Sequence, residues 1–278
     1  MTQPDSLLVV VPTYGHFDYA EAAVASAFQA TKCEVVVCIV DDASPDWSED
    51  WARNLQLQSP RDKLIWARHD VNQGLTRMWN FGVATAIGGN FKYVCLTNSD
   101  VLFTSGWDVR LREAVNTGWH LVGPLTNTPG DNEAQYVRPH SVDYENSDSQ
   151  LVLDAVAKEL GRKTKVVQGP LNGFCLFGAV HTFQRHLYDP SRMMAFKPSN
   201  PVNSKGKPNP TPLMTLSEHE LQQRWREEGC KTGVVLGSYV YHYRSVSRGE
   251  RERVIDGTDM RGASPAELAS LEFSVDDN

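Results

Sequence analysis

Three short runs, LLVVV at 7–11, EVVVCIV at 34–40 and FKYVCLT at 91–97, are apolar at almost every position and separated by segments of helical length. A strand that is apolar throughout is covered on both faces, and strands alternating with helices join in parallel. The pattern predicts an α/β fold: a three-layer α/β/α sandwich with a mostly parallel central sheet. Between the runs, 18–30, 47–58 and 75–87 read as amphipathic helices and KLIWARH at 63–69 as a further strand.

Past residue 120 the rhythm weakens. HLVGP at 120–124 reads as a short strand, 126–149 as a polar loop or acceptor-facing insertion, and 150–160 as a helix. KVVQGPLNGFCLFG at 165–178 reads as extended chain broken at Gly169-Pro170 and Gly173. The segment 196–212 holds five of the chain's 15 prolines and is expected to be irregular, either a mobile lid or a passive linker. A helix from Ser217, stopped by Gly229, and a last strand VVLGSYVYHY at 234–243 complete the pattern; residues 262–278 are expected to form a flexible tail.

Thirty-four acidic residues against 27 Lys and Arg give a net charge of −7, which excludes a nucleic-acid backbone as main partner. Five cysteines form an odd set, three of them in apolar runs, so reduced, buried thiols are expected. No apolar run approaches the roughly 18 residues of a membrane helix, and MTQPDS lacks the basic start of a signal peptide. The expected location is the cytoplasm, without membrane insertion. Oligomeric state is left open.

In an open parallel sheet, ligands bind at the carboxyl ends of the strands. Three strands end there in polar residues: Pro12-Thr13-Tyr14-Gly15, Asp41-Asp42-Ala43-Ser44-Pro45-Asp46 and Asn98-Ser99-Asp100. These carboxylates have no Lys or Arg near them in the chain, so a cation or hydrogen-bond donors must fill the space between them.

The ordered set VVPTYG, VVVCIVDDASPD, NQGLTRMWNFG, CLTNSDVLF, SEHELQQRWREEG and YHYRS resembles family 2 glycosyltransferases with the GT-A fold, over about residues 7–245. The resemblance implies one GT-A domain over 1–261. Residues to about 103 would bind the nucleotide sugar, and 104–261 would bind the acceptor and catalyse.

It also implies roles for individual residues. Asp42 would take the N3 proton of uracil, aimed by a turn of Asp41, Ser44 and Asp46; otherwise Asp41-Asp42 cap the next helix. Pro12, Thr13 and Tyr14 would meet the base. Asn72 and Gly74 would bring backbone to the nucleotide, with Arg77 reaching the base or a phosphate. Asn80 and Gly82 would serve helix-to-sheet packing. Asn98-Ser99-Asp100 stands where the family has Asp-X-Asp, so Asp100 would hold the metal at the diphosphate while Asn98, an amide, bonds a hydroxyl without adding charge.

His242 would complete the metal shell, favouring Mn²⁺ over Mg²⁺ through its imidazole. Asn172 and Gly173 would pass beneath the sugar, and Arg244, Lys205 or Lys207 would neutralise diphosphate charge. Glu218, in the first turn of its helix, matches the catalytic base, while Ser217 and Glu220 also fit a capping box. Trp79, Trp107 and Trp119 are taken as core residues.

The expected activity is inverting transfer from a UDP-sugar such as UDP-glucose to a hydroxyl of a glycan, protein or small molecule. The competing classes are a nucleotidyltransferase and a non-catalytic sugar-nucleotide or glycan-binding module. A nucleotidyltransferase would open with a Gly-rich, basic phosphate loop, which Pro12-Thr13-Tyr14-Gly15-His16-Phe17 is not.

Overall fold

The first strand, β1 (Ser6–Thr13), lies between β2 (Glu34–Asp41) and β4 (Tyr93–Thr97), parallel to both, and β3 (Leu64–Arg68) flanks β2 at the edge. Alternate side chains of a strand face opposite ways. Leu7, Val9 and Val11 accordingly enter one core with α1 (Phe17–Ala30) and α4 (Trp107–Asn116), while Leu8 and Val10 enter a second with α3 (Leu75–Gly88), α6 (Val180–Arg185) and α7 (Ser217–Glu227). All five strand residues have no exposed surface, which explains the unbroken apolar run. A Cβ at Gly82 would come within 2.5 Å of Val10, so the glycine lets α3 press onto β1.

The computed structural model describes residues 5–130, 132–137, 150–197, 217–243, 254–255 and 258–259. Most of the 126–149 loop, the proline-rich segment beyond 197, Lys205, Lys207, Arg244 and the 262–278 tail lie outside these residues.

Beyond β4 come β5 (Val101–Phe103), β6 (Leu121–Leu125), α5 (Gln150–Leu160), β7 (Val166–Gln168), β8 (Cys175–Ala179) and β9 (Thr232–His242). With α2 (Glu49–Gln58) after β2, they complete a mixed α/β fold whose strand order is β3-β2-β1-β4-β8-β6-β9-β5, with β7 on β9. The sheet is mostly parallel; β8 runs antiparallel to β4 and β6, as β5 and β7 do to β9. The strand order reverses direction at β1 and β4, which opens a crevice at their carboxyl ends.

Sequence patterning missed β5, α4 and α6, and it began β9 two residues late. Ser48 caps α2, accepting from Trp51 N–H, so Asp41-Asp42 do not cap that helix. Gly229 has φ +82° and follows the end of α7, as expected of a helix stop. All five cysteines are free, and all but Cys33 are buried. Burial pushes the Cys38 thiol up to about 12. Among the described residues no helix is long and apolar enough to cross a membrane.

Candidate functional site

The carboxyl end of β2 is organised by two adjacent carboxylates with different tasks. Asp41 accepts from Ser44 N–H and Oγ–H and pairs with Arg68 Nη1 at 2.8 Å, and Ser44 Oγ in turn accepts Gly15 N–H at 2.8 Å. Parallel pairing sets Asp41 opposite Arg68, so the cation that sequence inspection did not find comes from the neighbouring strand. Ala43, with φ +60°, turns the chain back so that Ser44 can reach Asp41.

Asp42 instead holds the loop that enters α3. Its carboxylate accepts Gln73 N–H at 2.8 Å, Gly74 N–H at 2.6 Å and His69 Nδ1 at 2.7 Å, and the residue is 1% exposed. Gly74 (φ +85°) is the N-cap of α3 and has no side chain, so a carboxylate from β2 takes over that task. Asn72 Oδ1 in the same loop is buried without a hydrogen-bond partner among the described residues. Buried polar atoms are normally paired, so this acceptor is suited to a ligand donor. Arg77 and Tyr14 are exposed, whereas Pro12 and Thr13 are buried.

A second group forms where β4 ends. The short β5–β9 ladder sets Val101 opposite His242, and Tyr243 N–H donates to Asp100 O, bringing His242 Nε2 to 3.3 Å from Asp100 Oδ1. Asn98 Nδ2 lies 3.5 Å from the same Nε2, and Ser99 forms the turn between. His242 Nδ1 lies 2.9 Å from the Thr128 carbonyl, which can only accept, so Nδ1 carries a proton and Nε2 is the ring nitrogen that faces Asp100. Two acceptors at that separation require a proton or a cation between them.

Asn127 fixes the backbone of this histidine: His242 N–H donates to its Oδ1 at 2.9 Å and its Nδ2 donates to His242 O at 3.3 Å. Phe174 stacks on the His242 ring with centroids 5.3 Å apart.

Gly173, the residue before Phe174, joins this group to α7. A Cβ there would stand 3.2 Å from the Glu218 carboxyl carbon and 2.8 Å from the Trp79 ring. Gln222, one turn after Glu218, accepts Leu171 N–H and donates to Leu171 O and Glu218 O, which fastens α7 to the 171–173 segment. Asn172 donates from its side chain to Pro129 O and from its backbone to Gln135 Oε1 at 2.7 Å.

The structure thus gathers Asn98, Asp100 and His242 beside Phe174, sets Glu218 against the neighbouring Gly173, and brings Asp42, Asn72 and Gly74 to the α3 entry; Arg244 lies outside the described residues. Glu220 pairs with Arg224 at 3.2 Å, while the Ser217 side chain expected to share a capping box with it lies outside the described set. Asn80 does not serve packing alone: its amide bonds both backbone groups of Phe196. Sequence reasoning did not assign Arg68, His69, Asn127, Thr128 or Gln222, and Trp79 is the core residue it was expected to be. Only Gln222 carries a local signal, a polar residue between core-facing Leu221 and Trp225.

Among the described residues no three His, Cys, Asp or Glu side chains form a metal-holding group. Asp100 Oδ1 and His242 Nε2 are atoms of a kind that suits a divalent cation, and Asn98 sets an amide beside them.

The model of the family described as glycosyl transferase family 2 matches residues 8–187. Uncharacterized glycosyltransferases of Rickettsia conorii and Rickettsia felis are each 32% identical over 95 residues, or 34% of this chain, which spans only 15% of their length. Among solved structures, GalNAc-T7 with UDP, GalNAc and Mn²⁺ is similar with a TM-score of 0.61 at 16% identity, over 94% of this chain and 46% of that one. Mannosyltransferase PcManGT from Pyrobaculum calidifontis, in complex with GDP-Man and Mn²⁺, gives 0.57 at 15% identity over 89% and 59%. At such identities the likeness is one of fold, the GT-A fold.

Proposed function

This chain belongs to glycosyl transferase family 2, and from that premise we propose that it moves a sugar from a nucleotide diphosphate donor, a UDP-sugar such as UDP-glucose, to an acceptor hydroxyl with inversion. The observation that carries this reading is the placement of the Glu218 carboxylate against Gly173, next to the residue whose ring stacks on His242. On this reading Glu218 would serve as the base and Asp100 with His242 as the diphosphate-facing pair, along one short stretch of backbone.

The nucleoside would lie at the ends of β1 and β2, between Tyr14, Thr13 and the loop of Asn72 and Gly74 that Asp42 holds, with Arg77 near the phosphates. Asn98 would bond a ribose or sugar hydroxyl, and Asn172 and Gly173 would form the floor under the sugar. In the reaction Glu218 takes the acceptor proton, the acceptor oxygen bonds the anomeric carbon from the face opposite the leaving group, and the bond to the diphosphate breaks. A single displacement inverts the configuration. The α7 N-terminus favours the charged form of Glu218 before the proton arrives.

A divalent cation, Mn²⁺ in preference to Mg²⁺ for an imidazole ligand, would be held by Asp100 and His242 and would stabilise the negative charge of the departing diphosphate. The remaining ligands would come from the donor and water. We read the chain as one domain, with the first ~103 residues serving the donor.

Thermal-shift measurements with a panel of nucleotide sugars, with and without Mn²⁺, test this reading. Stabilisation by a uridine nucleotide that grows with Mn²⁺ supports it, and metal-independent stabilisation contradicts the role of Asp100 and His242. NMR of the product's anomeric proton decides between inversion and retention.

A further inference from the structure

We propose that His69, not Asp42, contacts the nucleobase, and that it selects a base presenting one ring N–H between two carbonyls: uracil or thymine. The inference rests on the nucleotide-donor reading and concerns how that site chooses its base.

Three observations carry it. Asp42 is 1% exposed and already accepts from Gln73 N–H, Gly74 N–H and His69 Nδ1, so its oxygens serve the protein. The His69 side chain keeps 15% of its surface exposed against 1% for Asp42. It directly follows β3, and its own N–H donates to Asp41 O at 2.8 Å, which places it at the carboxyl edge of the sheet beside the end of β2.

The chemistry follows from the tautomer. A carboxylate accepts, so the 2.7 Å contact puts the imidazole proton on Nδ1 and leaves Nε2 as an acceptor. The Asp42 contact also fixes the ring's orientation, as a carboxylate does behind a ligating histidine. A single lone pair matches the N3–H of uracil or thymine. Cytosine and adenine present a lone pair at the corresponding ring nitrogen and would be repelled. Guanine offers a ring N–H and an amino group side by side, and one acceptor leaves one of these donors unmet.

Calorimetric titration of the full chain with UDP, dTDP, CDP, GDP and N3-methyl-UDP, in Mn²⁺ buffer, tests the assignment. The wild type should bind UDP or dTDP at least about tenfold more tightly than N3-methyl-UDP and CDP; the first two ligands separate uracil from thymine. His69→Phe, which keeps a ring but has no acceptor, should bring UDP and N3-methyl-UDP to within about twofold while diphosphate binding persists. His69→Gln, which can donate to Asp42 and still offer an oxygen, should recover part of the discrimination. Loss of loop order alone would weaken all ligands together and leave their ratio unchanged. A ratio that survives His69→Phe, or a preference of the wild type for GDP, overturns the proposal while leaving nucleotide-dependent transfer standing. Failure of every nucleotide to bind overturns the donor reading and this proposal with it.

Discussion

The Glu218 carboxylate lies so close to Gly173 that a Cβ on the glycine would stand 3.2 Å from Glu218 Oε1. The same Cβ would be 2.8 Å from the Trp79 ring, which is fully buried and donates its indole N–H to Thr97 O at 3.1 Å. Trp79 has little room to yield, so the glycine backbone and the acid must move apart.

Gly173→Ala should therefore lower transfer by about a hundredfold, the scale of a misplacement near 1 Å at a reacting group. The thermal midpoint should fall by only a few degrees. Steady-state kinetics beside a melting curve checks both, and full activity would contradict the placement of Glu218.

Asn98→Asp restores a negative charge 3.5 Å from His242 Nε2, next to Asp100. Affinity for a hard divalent ion rises with ligand charge. The half-saturating Mn²⁺ concentration, read from metal titrations with UDP present, should fall by about tenfold; an unchanged value would argue that Asn98 lies outside the metal's reach.

Asn127→Ala removes two hydrogen bonds to the His242 backbone, leaving its N–H without that partner while its carbonyl still accepts from Thr128 Oγ–H. Leaving them unmade costs about 1–3 kcal/mol. Urea unfolding should show a loss of that size, with a higher Mn²⁺ requirement for transfer. A stability loss without any change in metal requirement would mean that His242 does not serve the metal.

Gln222→Leu keeps the volume but breaks the clamp between α7 and Leu171, whose N–H and C=O both bond the buried amide. The expected cost is about 2–3 kcal/mol by denaturant titration, with kcat falling because Glu218 loses its fixed position over Gly173. Unchanged kcat would show that α7 holds its place by apolar packing alone.

Much of the sheet was legible because local pattern reports burial. β1, β2 and β4 read as strands from runs with no polar interruption, and α5 (Gln150–Leu160) from its helical period. The three residues of β5 are too few to show a period, yet their pairing with β9 is what brings His242 to Asp100. Arg68 was likewise invisible as the partner of Asp41, since which strands are neighbours is not written in either strand. Of the candidate site, Asp100, His242 and Glu218 were singled out by motif order, whereas His69, Asn127 and Gln222 are placed by the fold and have no motif of their own.

The central claim is that Glu218 is the base. Glu218→Gln preserves shape and removes the proton acceptor, so the direct measurement is nucleoside diphosphate release from the nucleotide sugar that stabilises the wild type, in the presence of its acceptor, alongside calorimetric binding of the diphosphate. The account predicts a fall in kcat of about 10²–10⁴ with diphosphate affinity unchanged within about twofold. Transfer at the wild-type rate by the Gln variant would contradict it.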